Sequence, residues 1–427
     1  MLEGKKKSIM AEISVITYCV IIGAILCFAI LKYRAINVTI TCMALYFISA
    51  LTSLYFFYNA LYDYSRITIY PIIYVVACIL ITMIPVFSYD NHVEKKMYAN
   101  ESSKKFVYLT LCILSFMAVE PFIENLVHLR SVVNNMSATA DIYAARADGD
   151  NSKSEYLSWL GRKFFWILFL LRDIIPLLLF YYIIKWNKYN KYVIVGTSMA
   201  ILNPIIHGFA LGGRSSMINA AFYFIFVYML FRPYMPDKQK RNIDKTLLIL
   251  SGITIFGLTA MTIVRYASQE HSVDIWTWVT LYTGEGILNF CSDLWPLSQT
   301  CNGDNTFLMV RYIGGLTDNT DIESVRATRD VLGVRNLVFY TYLGTIYYDF
   351  NKIGTILYCA IFSCLFYISC KSRKGVFRLS QLATLAILGK VIMMGVMFYP
   401  YTLWNDQLSL LFLLIYIMIL KTKENKS

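Results

Sequence analysis

The stretch Ile201–Met217 reads ILNPIIHGFALGGRSSM and marks the point where two long apolar segments meet. The first segment ends at Gly212-Gly213, Arg214 follows, and the second segment begins at Met217. Glycine permits the positive φ values of a tight turn and leaves room for a ligand beside the backbone. Arg214 keeps its charge and offers paired, planar donors to an oxyanion. The pattern predicts two membrane helices joined by a turn with an arginine at its tip. An arginine that only reaches toward the membrane surface is the alternative.

The composition of the whole chain identifies an integral membrane protein. Of its 427 residues, 57% are hydrophobic and only 15% are charged, and the mean hydropathy is +0.53. Soluble domains carry roughly 25% charged residues. The apolar runs are continuous rather than alternating, which favours membrane helices of about 20 residues over an outer-membrane barrel. Most lysines lie in short loops beside these runs, so the net charge of +12 indicates topology and not nucleic acid binding.

The apolar runs predict an all-α fold, a polytopic membrane helix bundle of about 11 (10–12) transmembrane helices with a long, partly helical periplasmic loop. Two helices flank the Gly-Gly-Arg turn, and the span Phe164–Ile184 is interrupted by Arg172-Asp173. The remaining spans are Ile13–Leu31, Ile36–Tyr58, Ile67–Phe87, Phe106–Val127, Thr246–Val264, Ile353–Cys370, Leu379–Met397 and Leu403–Leu420. The sequence shows no internal repeat, so residues 1–427 are predicted to form a single integral membrane domain.

Basic residues sort the loops onto two sides of the membrane. They cluster in alternate loops, which the positive-inside rule places in the cytoplasm. The clusters are Lys95/Lys96/Lys104/Lys105, Lys185/Lys188/Lys191, Lys238/Lys240/Arg241, Lys371/Arg373/Lys374/Arg378 and the C-terminal tail. The polar segments 128–163 and 265–335 and the Gly-Gly-Arg turn are then periplasmic. Eleven spans would put the N-terminus outside, whereas Lys5-Lys6-Lys7 favours the inside, so the direction of the first helix stays open.

The segment 265–335 is too long for a simple connection, because unstructured loops of more than about 15 residues are uncommon in compact domains. It contains the candidate glycan-binding residues Trp276, Trp278, Tyr282 and Asn302. Aromatic faces beside amides and carboxylates suit sugar rings, which present C–H faces and hydroxyl groups. Each aromatic residue taken singly also fits an ordinary anchor at the membrane interface.

Four motifs carry a resemblance to a known family. They are GGRSSM at Gly212–Met217, VRY at Val264–Tyr266, NGDNTFLMVRYIGG at Asn302–Gly315 and NLVFYTYLGTIYYDFNKIGTI at Asn336–Ile356. In this order they resemble the O-antigen polymerase (Wzy-type oligosaccharide repeat-unit polymerase) family in its Bacteroidetes-like form. The resemblance covers about the second half of the chain. Relatives often have Asp-Phe-Gly where this chain has Asp349-Phe350-Asn351.

The resemblance implies a multi-pass enzyme of the bacterial inner membrane. Such enzymes are inverting glycosyltransferases that join undecaprenyl-diphosphate-linked oligosaccharide repeat units at the periplasmic face of the inner membrane. The product is O-antigen or capsular polysaccharide. The partners implied are the lipid-linked oligosaccharide and membrane lipid, with a chain-length regulator and a flippase as candidate protein partners. No cofactor is implied.

This chemistry defines the candidate site residues. Glycosyl transfer releases a charged diphosphate, and preorganised cations that stabilise it would contribute most to catalysis. The candidate diphosphate-binding residues are Arg214, Arg265 and Arg311. An acceptor hydroxyl needs a base within hydrogen-bond reach, and the candidate bases are Glu285, Asp304 and His271. No group of His, Cys or Asp residues has metal-ligand spacing, so no metal is predicted.

Three other functions compete with a polymerase. An O-antigen ligase would use the same chemistry with a lipid A core as acceptor. A polysaccharide transporter or flippase is the non-enzymatic alternative, and it predicts internal repeats and charges spread along a path. A polyprenyl-monophosphate-dependent glycosyltransferase is disfavoured, since its first outer loop would be acidic and Asn59–Arg66 offers only Asp63.

Two cysteines of the segment 265–335 are candidates for a disulfide. Cys291 and Cys301 fall on the predicted periplasmic side, where conditions are oxidising. Their spacing can be closed if the chain doubles back at Trp295-Pro296, and two free thiols are the alternative. The other cysteines lie in or beside apolar spans, where Cys acts as a small hydrophobic residue. His207, in the sixth span, is predicted to be a hydrogen-bonded structural histidine.

If the predicted diphosphate site is correct, Arg214→Ala and Arg265→Ala should each abolish polymer without lowering the amount of protein. Lysine at either position should rescue poorly, because it lacks the planar pair of donors. Surface glycan electrophoresis with immunoblotting of the protein measures both quantities. Full-length polymer from Arg214→Ala would remove the turn from the site.

Overall fold

The computed structural model describes most of the chain, and its described residues are almost entirely helical. They are residues 9–59, 62–92, 94–134, 156–186, 188–211, 215–248, 252, 259, 274–318, 327, 329–330, 333–336, 338–372 and 374–425. The helices are α1 (Ile9–Tyr33), α2 (Val38–Asn59), α3 (Ile69–Asp90), α4 (Glu101–Asn134), α5 (Trp159–Leu170), α6 (Ile175–Lys185), α7 (Lys191–Ala210), α8 (Ser215–Phe231), α9 (Ile275–Asn289), α10 (Leu308–Ile313), α11 (Thr341–Cys370), α12 (Leu379–Met394) and α13 (Trp404–Asn425). The strands are β1 (Lys96–Met97) and β2 (Val376–Phe377).

The helices confirm a multi-pass α-helical membrane protein. Among the described residues, eight helices are long and apolar enough to cross a membrane, and nine if α5 and α6 form one bent span. Helix α12 is apolar but shorter. The predicted span Thr246–Val264 lies largely outside the described residues. The full number of spans therefore stays a prediction.

The chain divides into two compact units built from non-contiguous segments. Unit 1 comprises Met1–Val93, Ser272–Lys374 and Thr384–Leu410. Unit 2 comprises Glu94–His271, Gly375–Ala383 and Leu411–Ser427. Whether the units act as one membrane domain, as the sequence predicts, stays a prediction.

Unit 2 confirms the predicted interruption of the span Phe164–Ile184. Helices α5 and α6 are bent by 74° at a short turn that contains Arg172 and Asp173. The guanidinium of Arg172 lies 4.0 Å from the centre of the Phe169 ring, and Asp173 is buried. Two charged residues in succession thus mark the end of one apolar helix and the start of the next.

The basic loops of unit 2 lie together, as predicted. Strands β1 and β2 pair in parallel and join the loop before α4 to the segment that leads into α12. Hydrogen bonds add the other basic segments: Lys185 Nζ donates to Met97 O, Asn100 Nδ2 donates to Lys423 O, and Gln239 Nε2 donates to Tyr189 Oη. That this end is cytoplasmic stays a prediction of the positive-inside rule.

Contacts in unit 1 set the direction of the first helix. Tyr33, at the end of α1, donates from its hydroxyl to Asn91 Oδ1 at 3.2 Å, just after the end of α3. The start of α2 meets the same end, since Thr39 N donates to Asp90 Oδ2 at 2.7 Å. Helices α1 and α3 therefore run the same way, toward the loop with Lys95. This arrangement agrees with an outside N-terminus and with the basic residues that follow α1.

Helix α11 is a hairpin of two arms rather than one straight rod. Its helical geometry breaks at Asn351, where φ is 56° and ψ is −170°. Tyr342 Oη lies 3.4 Å from Cys78 O, and the Cys359 side chain also contacts Cys78. In a continuous helix, residues so far apart in sequence would be about 25 Å apart. The arm 341–350 therefore folds back along the arm 352–370, which matches the predicted span Ile353–Cys370.

The first arm of α11 begins inside unit 1, next to α3. Tyr342 Oη donates to Thr82 Oγ1 at 2.9 Å, and Thr82 lies well inside α3. Residues Thr341–Asp349 are all buried. Within the motif Asn336–Ile356, residues 341–350 thus form a half-helix that is buried from Thr341 to Asp349.

Helix α9 confirms that the segment 265–335 is partly helical, while its periplasmic location stays a prediction. It packs along α2: Ser49 Oγ donates to Thr283 O at 2.6 Å, and Ser53 Oγ donates to Gly284 O at 2.7 Å. A Cβ on Gly284 would lie 2.6 Å from Thr52 O. Small residues allow this close approach of two helices. This face of α9 therefore packs inside unit 1, while other described residues of the segment, such as Trp276 and Ile313, are exposed.

Gly284→Ala should lower the free energy of unfolding by about 1–3 kcal/mol, because the new methyl group meets backbone that cannot move freely. Gly252→Ala is the matched control, since a Cβ there meets nothing within 4 Å. Thermal unfolding of the purified protein in detergent compares the two. Equal stability of the variants would contradict the close packing of α9 on α2.

Candidate functional site

A cavity of about 290 Å³ lies in unit 1 at the start of α11. It is surrounded by the segment that leads into α11, the first arm of α11, the segment between α12 and α13 with the first turn of α13, and single residues from the turn after α9 and the turn before α10. The lining residues are Leu294, Asn305, Arg329, Val338, Phe339, Tyr340, Thr341, Gly344, Thr345, Tyr348, Phe398, Tyr399, Thr402, Leu403 and Asp406. Most are apolar or aromatic, with a few polar groups among them, as in typical small-molecule sites.

One face of the half-helix is turned to the cavity. Thr341, Gly344, Thr345 and Tyr348 recur at the spacing of a single helix face. The hydroxyls of Thr341 and Tyr348 have no hydrogen-bond partner among the described residues, although these residues are only 6% and 4% exposed. Unpaired buried polar groups are costly. Both hydroxyl oxygens are enclosed in the wall of the cavity, so a side-chain movement is needed before a ligand in the cavity can reach them.

The start of the half-helix has an unusual backbone. Thr341 has φ of 63°, which is an outlier for a β-branched residue. Two backbone bonds hold it there: Thr341 N donates to Met397 O at 3.0 Å, and Tyr342 N donates to Gly395 O at 2.9 Å. Strain of this kind persists only where surrounding structure imposes it, and it clusters at functional sites.

A buried polar network supports the wall before α11. Phe339 N donates to Glu285 Oε1 at 2.8 Å, and Asn289 Nδ2 donates to Phe339 O at 2.9 Å. Arg335 forms two bonds with Asp293, at 2.7 and 2.9 Å. Glu285 and Asn289 of α9 hold the N–H and C=O groups of Phe339. This wall therefore has little freedom to move.

The opposite wall is fixed by Asp349 and Gln407. Asp349 Oδ1 accepts from Asn305 Nδ2 at 2.9 Å, and its Oδ2 accepts from Thr306 N at 2.6 Å. Gln407 Nε2 donates to the carbonyl oxygens of Asn305, Thr306 and Tyr401 at 3.0–3.3 Å. These bonds join the turn before α10 to α11 and α13.

Arg329 and Asp406 are the charged residues that line the cavity, among those that the structure describes. The positive charge of Arg329 also acts on Tyr340 and Tyr348, which lie in the same wall and half-helix. Helix N-termini favour anions. The first two N–H groups of the half-helix are already bonded to Met397 O and Gly395 O, so the positive charge that this part of the cavity offers to an anionic oxygen comes mainly from Arg329.

The predicted bases occupy different surroundings. Glu285 is fully buried behind the wall and does not line the cavity. Burial raises its pKa to about 7, and its Oε2 has no partner within the described residues. Asp304 is bonded to Arg311, and Arg311 also donates to Leu316 O at 3.2 Å. The fold thus brings Asp304 and Arg311 together as an ion pair beside the turn that holds Asn305.

The predicted glycan residues are spread over α9 and the following turn. Trp276 is 68% exposed, and the backbone of Trp278 is helical, while its side chain lies outside the described part. The ring of Tyr282 lies 5.6 Å from that of Phe339, which lines the cavity. Asn302 is exposed with φ of 51°, and its Oδ1 accepts from Thr300 Oγ1 at 3.1 Å. Of the four, Tyr282 is in direct contact with the cavity wall.

Three predicted residues, Arg214, Arg265 and His271, lie outside the described residues. Their roles stay predictions. Over the part of the chain that is described, no group of three His, Cys, Asp or Glu residues could hold a metal ion.

The predicted disulfide is wrong, because Cys291 and Cys301 are both free, buried thiols. They face different surroundings. Cys291 lies in the π-helical turn after α9, near Tyr18 of α1. Cys301 is tied through its backbone to Tyr348 O at 2.9 Å and lies near Asp349.

His207 confirms the prediction of a hydrogen-bonded histidine. Its Nδ1 lies 2.7 Å from Tyr156 Oη and 3.2 Å from Asn125 Oδ1. Asn125 Nδ2 donates to Asn203 Oδ1 at 2.9 Å, and both asparagines are fully buried. This chain of amides joins α4 to α7 inside unit 2.

Sequence reasoning missed Arg329, Thr341, Tyr348 and Asp406 as site residues. Thr341 and Tyr348 fall within Asn336–Ile356, which the sequence singles out as a motif. Arg329 belongs to the arginine-rich end of the segment 265–335. Asp406 has no local signal beyond its place just before an apolar run.

Comparisons with known proteins leave the family open. No family model matches the chain, and no curated protein or solved structure shows significant similarity to it.

The raised pKa of Glu285 predicts a pH-dependent stability. Between about pH 4.5 and 7 the folded protein holds a proton on Glu285 that the unfolded chain has lost. This contribution is fully present below that window and is lost as pH rises through 7, on the order of 3 kcal/mol in total. Glu285→Gln keeps an oxygen for Phe339 N and removes the titration. The variant should be the more stable protein above pH 7.

Thermal unfolding of the two proteins at a series of pH values measures this difference. Glu101→Gln is the control, since Glu101 is exposed. An unchanged decline in stability for Glu285→Gln between pH 5 and 8 would show that Glu285 is ionised in the folded protein throughout.

Proposed function

We propose that the chain is a glycosyltransferase that polymerises undecaprenyl-diphosphate-linked oligosaccharide repeat units at the outer face of the bacterial inner membrane. The observation that carries the proposal is the cavity at the start of the half-helix. It combines one guanidinium, two unpaired hydroxyls and a helix N-terminus with aromatic walls. These are groups that bind a charged diphosphate next to apolar and sugar moieties.

The cavity lies at a suitable end of the helices. Asp406 is in the first turn of α13, whereas Lys421 and Lys423 lie near its other end. A helix of this length spans roughly 33 Å. If the basic end is cytoplasmic, as the positive-inside rule indicates, the first turn of α13 with Asp406 lies toward the outer face. That is the side on which lipid-linked repeat units would be joined.

In this proposal the residues of the cavity have different roles. Arg329 and the start of the half-helix stabilise the diphosphate as negative charge builds up on it. After a side-chain movement, the hydroxyls of Thr341 and Tyr348 donate to its oxygens. Phe339, Phe398 and Tyr399 line the space beside it and would contact isoprenoid or sugar. Arg214 and Arg265 stay predicted diphosphate ligands, while Arg311 is engaged by Asp304.

One observation also favours a transporter as a second candidate. Discontinuous helices whose N-termini point at an anion are typical of secondary transporters, and the chain has both a half-helix and a bent pair. A ligase would use the same site with a different acceptor. The three functions differ in the glycans that a cell accumulates when the protein is lost.

Deletion of the gene should leave single repeat units attached to the lipid A core, without long polymer. Loss of a ligase would instead leave uncapped core, and loss of a flippase would trap lipid-linked units on the cytoplasmic side. Wild type and Arg241→Ala, which changes an exposed arginine, should restore polymer. Arg329→Ala should not, at equal protein level. Full-length polymer in the deletion strain, or from Arg329→Ala, would contradict the proposal.

A further inference from the structure

Asp406 is the only carboxylate among the described residues that line the cavity. The carboxylates expected from the sequence do not line the cavity. Glu285 supports Phe339 from behind the wall, and Asp304 is bonded to Arg311. A base must lie within hydrogen-bond reach of the proton that it removes. Among the described residues, Asp406 is the carboxylate that meets this criterion, whereas the predicted base His271 lies outside them.

We infer that Asp406 is the general base that activates the acceptor hydroxyl. This inference rests on the proposed function, and it gives the acceptor sugar a place beside α13. The donor diphosphate then lies toward Arg329 and the half-helix. The cavity would thus have a cationic end for the leaving group and an anionic end for the nucleophile.

The backbone around Asp406 is fixed by its neighbours. Asp406 N and Gln407 N both donate to Leu403 O at 3.0 Å, which closes the first turn of α13. Gln407 is buried, bonds to three carbonyl oxygens and accepts from Met309 N at 2.8 Å. A reactive side chain on such a rigid support needs little reorganisation.

The proposed step forms one bond, breaks one bond and transfers one proton. The acceptor hydroxyl oxygen forms a bond to the anomeric carbon of the donor sugar, on the face opposite the diphosphate. The bond from that carbon to the diphosphate oxygen breaks, and its electron pair leaves with the lipid diphosphate. The hydroxyl proton passes to the Asp406 carboxylate and then to water. Arg329 meets the charge that appears on the leaving group.

A purely structural role for Asp406 predicts different effects of its substitution on donor binding and transfer. An acidic residue in the first turn of a helix stabilises the helix dipole, so its loss would weaken the fold and with it donor binding. As a base beside an anionic donor, Asp406 repels that donor. Asp406→Asn should therefore bind donor at least as tightly as wild type and yet transfer slowly.

The test uses the full-length protein in lipid nanodiscs. Binding is measured with undecaprenyl diphosphate as the probe. Transfer is measured in single-turnover mixtures with the lipid-linked repeat unit. Asp406→Asn should reduce the transfer rate by a factor of about 10² to 10⁴, the usual range for a general base. Asp406→Glu should recover part of the rate, because the carboxylate is retained. Asp237→Asn is the control, since that side chain is 99% exposed and lies in unit 2.

The outcomes separate this inference from the proposed function. If wild type makes no glycosidic bond from the lipid-linked unit, the proposed function fails. If wild type transfers and Asp406→Asn keeps a rate within about threefold of it, Asp406 is not the base. Weakened binding of undecaprenyl diphosphate by Asp406→Asn, with an equal loss for Asp406→Glu, would assign Asp406 a structural role.

Discussion

The constraint on which unit 1 depends is the pairing of backbone groups where a helix begins inside a membrane protein. Irregular backbone at that depth is tolerated only when its N–H and C=O groups are bonded by other parts of the protein. Glu285 and Asn289 bond the two groups of Phe339, and the carbonyls of Met397 and Gly395 accept from the next two helical positions. Without these partners the half-helix could not begin there.

The same partners give the cavity its shape. The carbonyls that accept from Thr341 and Tyr342 belong to the segment between α12 and α13, which continues to Asp406. A Cβ on Gly286 would lie 2.8 Å from Val396 O and 3.2 Å from Thr341 N, so α9, α11 and this segment converge at one point. Because these three elements contact one another through their backbones, their side chains can line a space. Thr341 and Tyr348 line that space, and their hydroxyl oxygens are enclosed in its wall.

The sequence predicts the features whose signals are local. Long apolar runs locate α1 to α4 and the bend between α5 and α6, and clusters of lysine identify the loops that lie together. The half-helix has no such signal, because an aromatic run like Asn336–Phe350 fits an interface as well as an interior. The burial of α9 depends on close contact at Gly284, which a hydrophobic pattern does not register. The cavity residues come from separate segments, so only the fold shows that Arg329 and Asp406 share a site.

Two sequence motifs acquire a structural explanation from their contacts with each other. Asp349, in the motif Asn336–Ile356, accepts from the backbone of Asn305 and Thr306 in the motif Asn302–Gly315. The next residue but one, Asn351, has positive φ at the turn of the hairpin. With ψ of −170°, Asn351 lies outside the left-handed helical region that asparagine adopts readily and in a region nearly confined to glycine, so the surrounding structure must hold this turn. The Asp-Phe-Asn sequence therefore turns the hairpin and anchors it to the cavity wall. These short motifs therefore form the framework around the cavity. The charged groups Arg329 and Asp406 come from other parts of the chain.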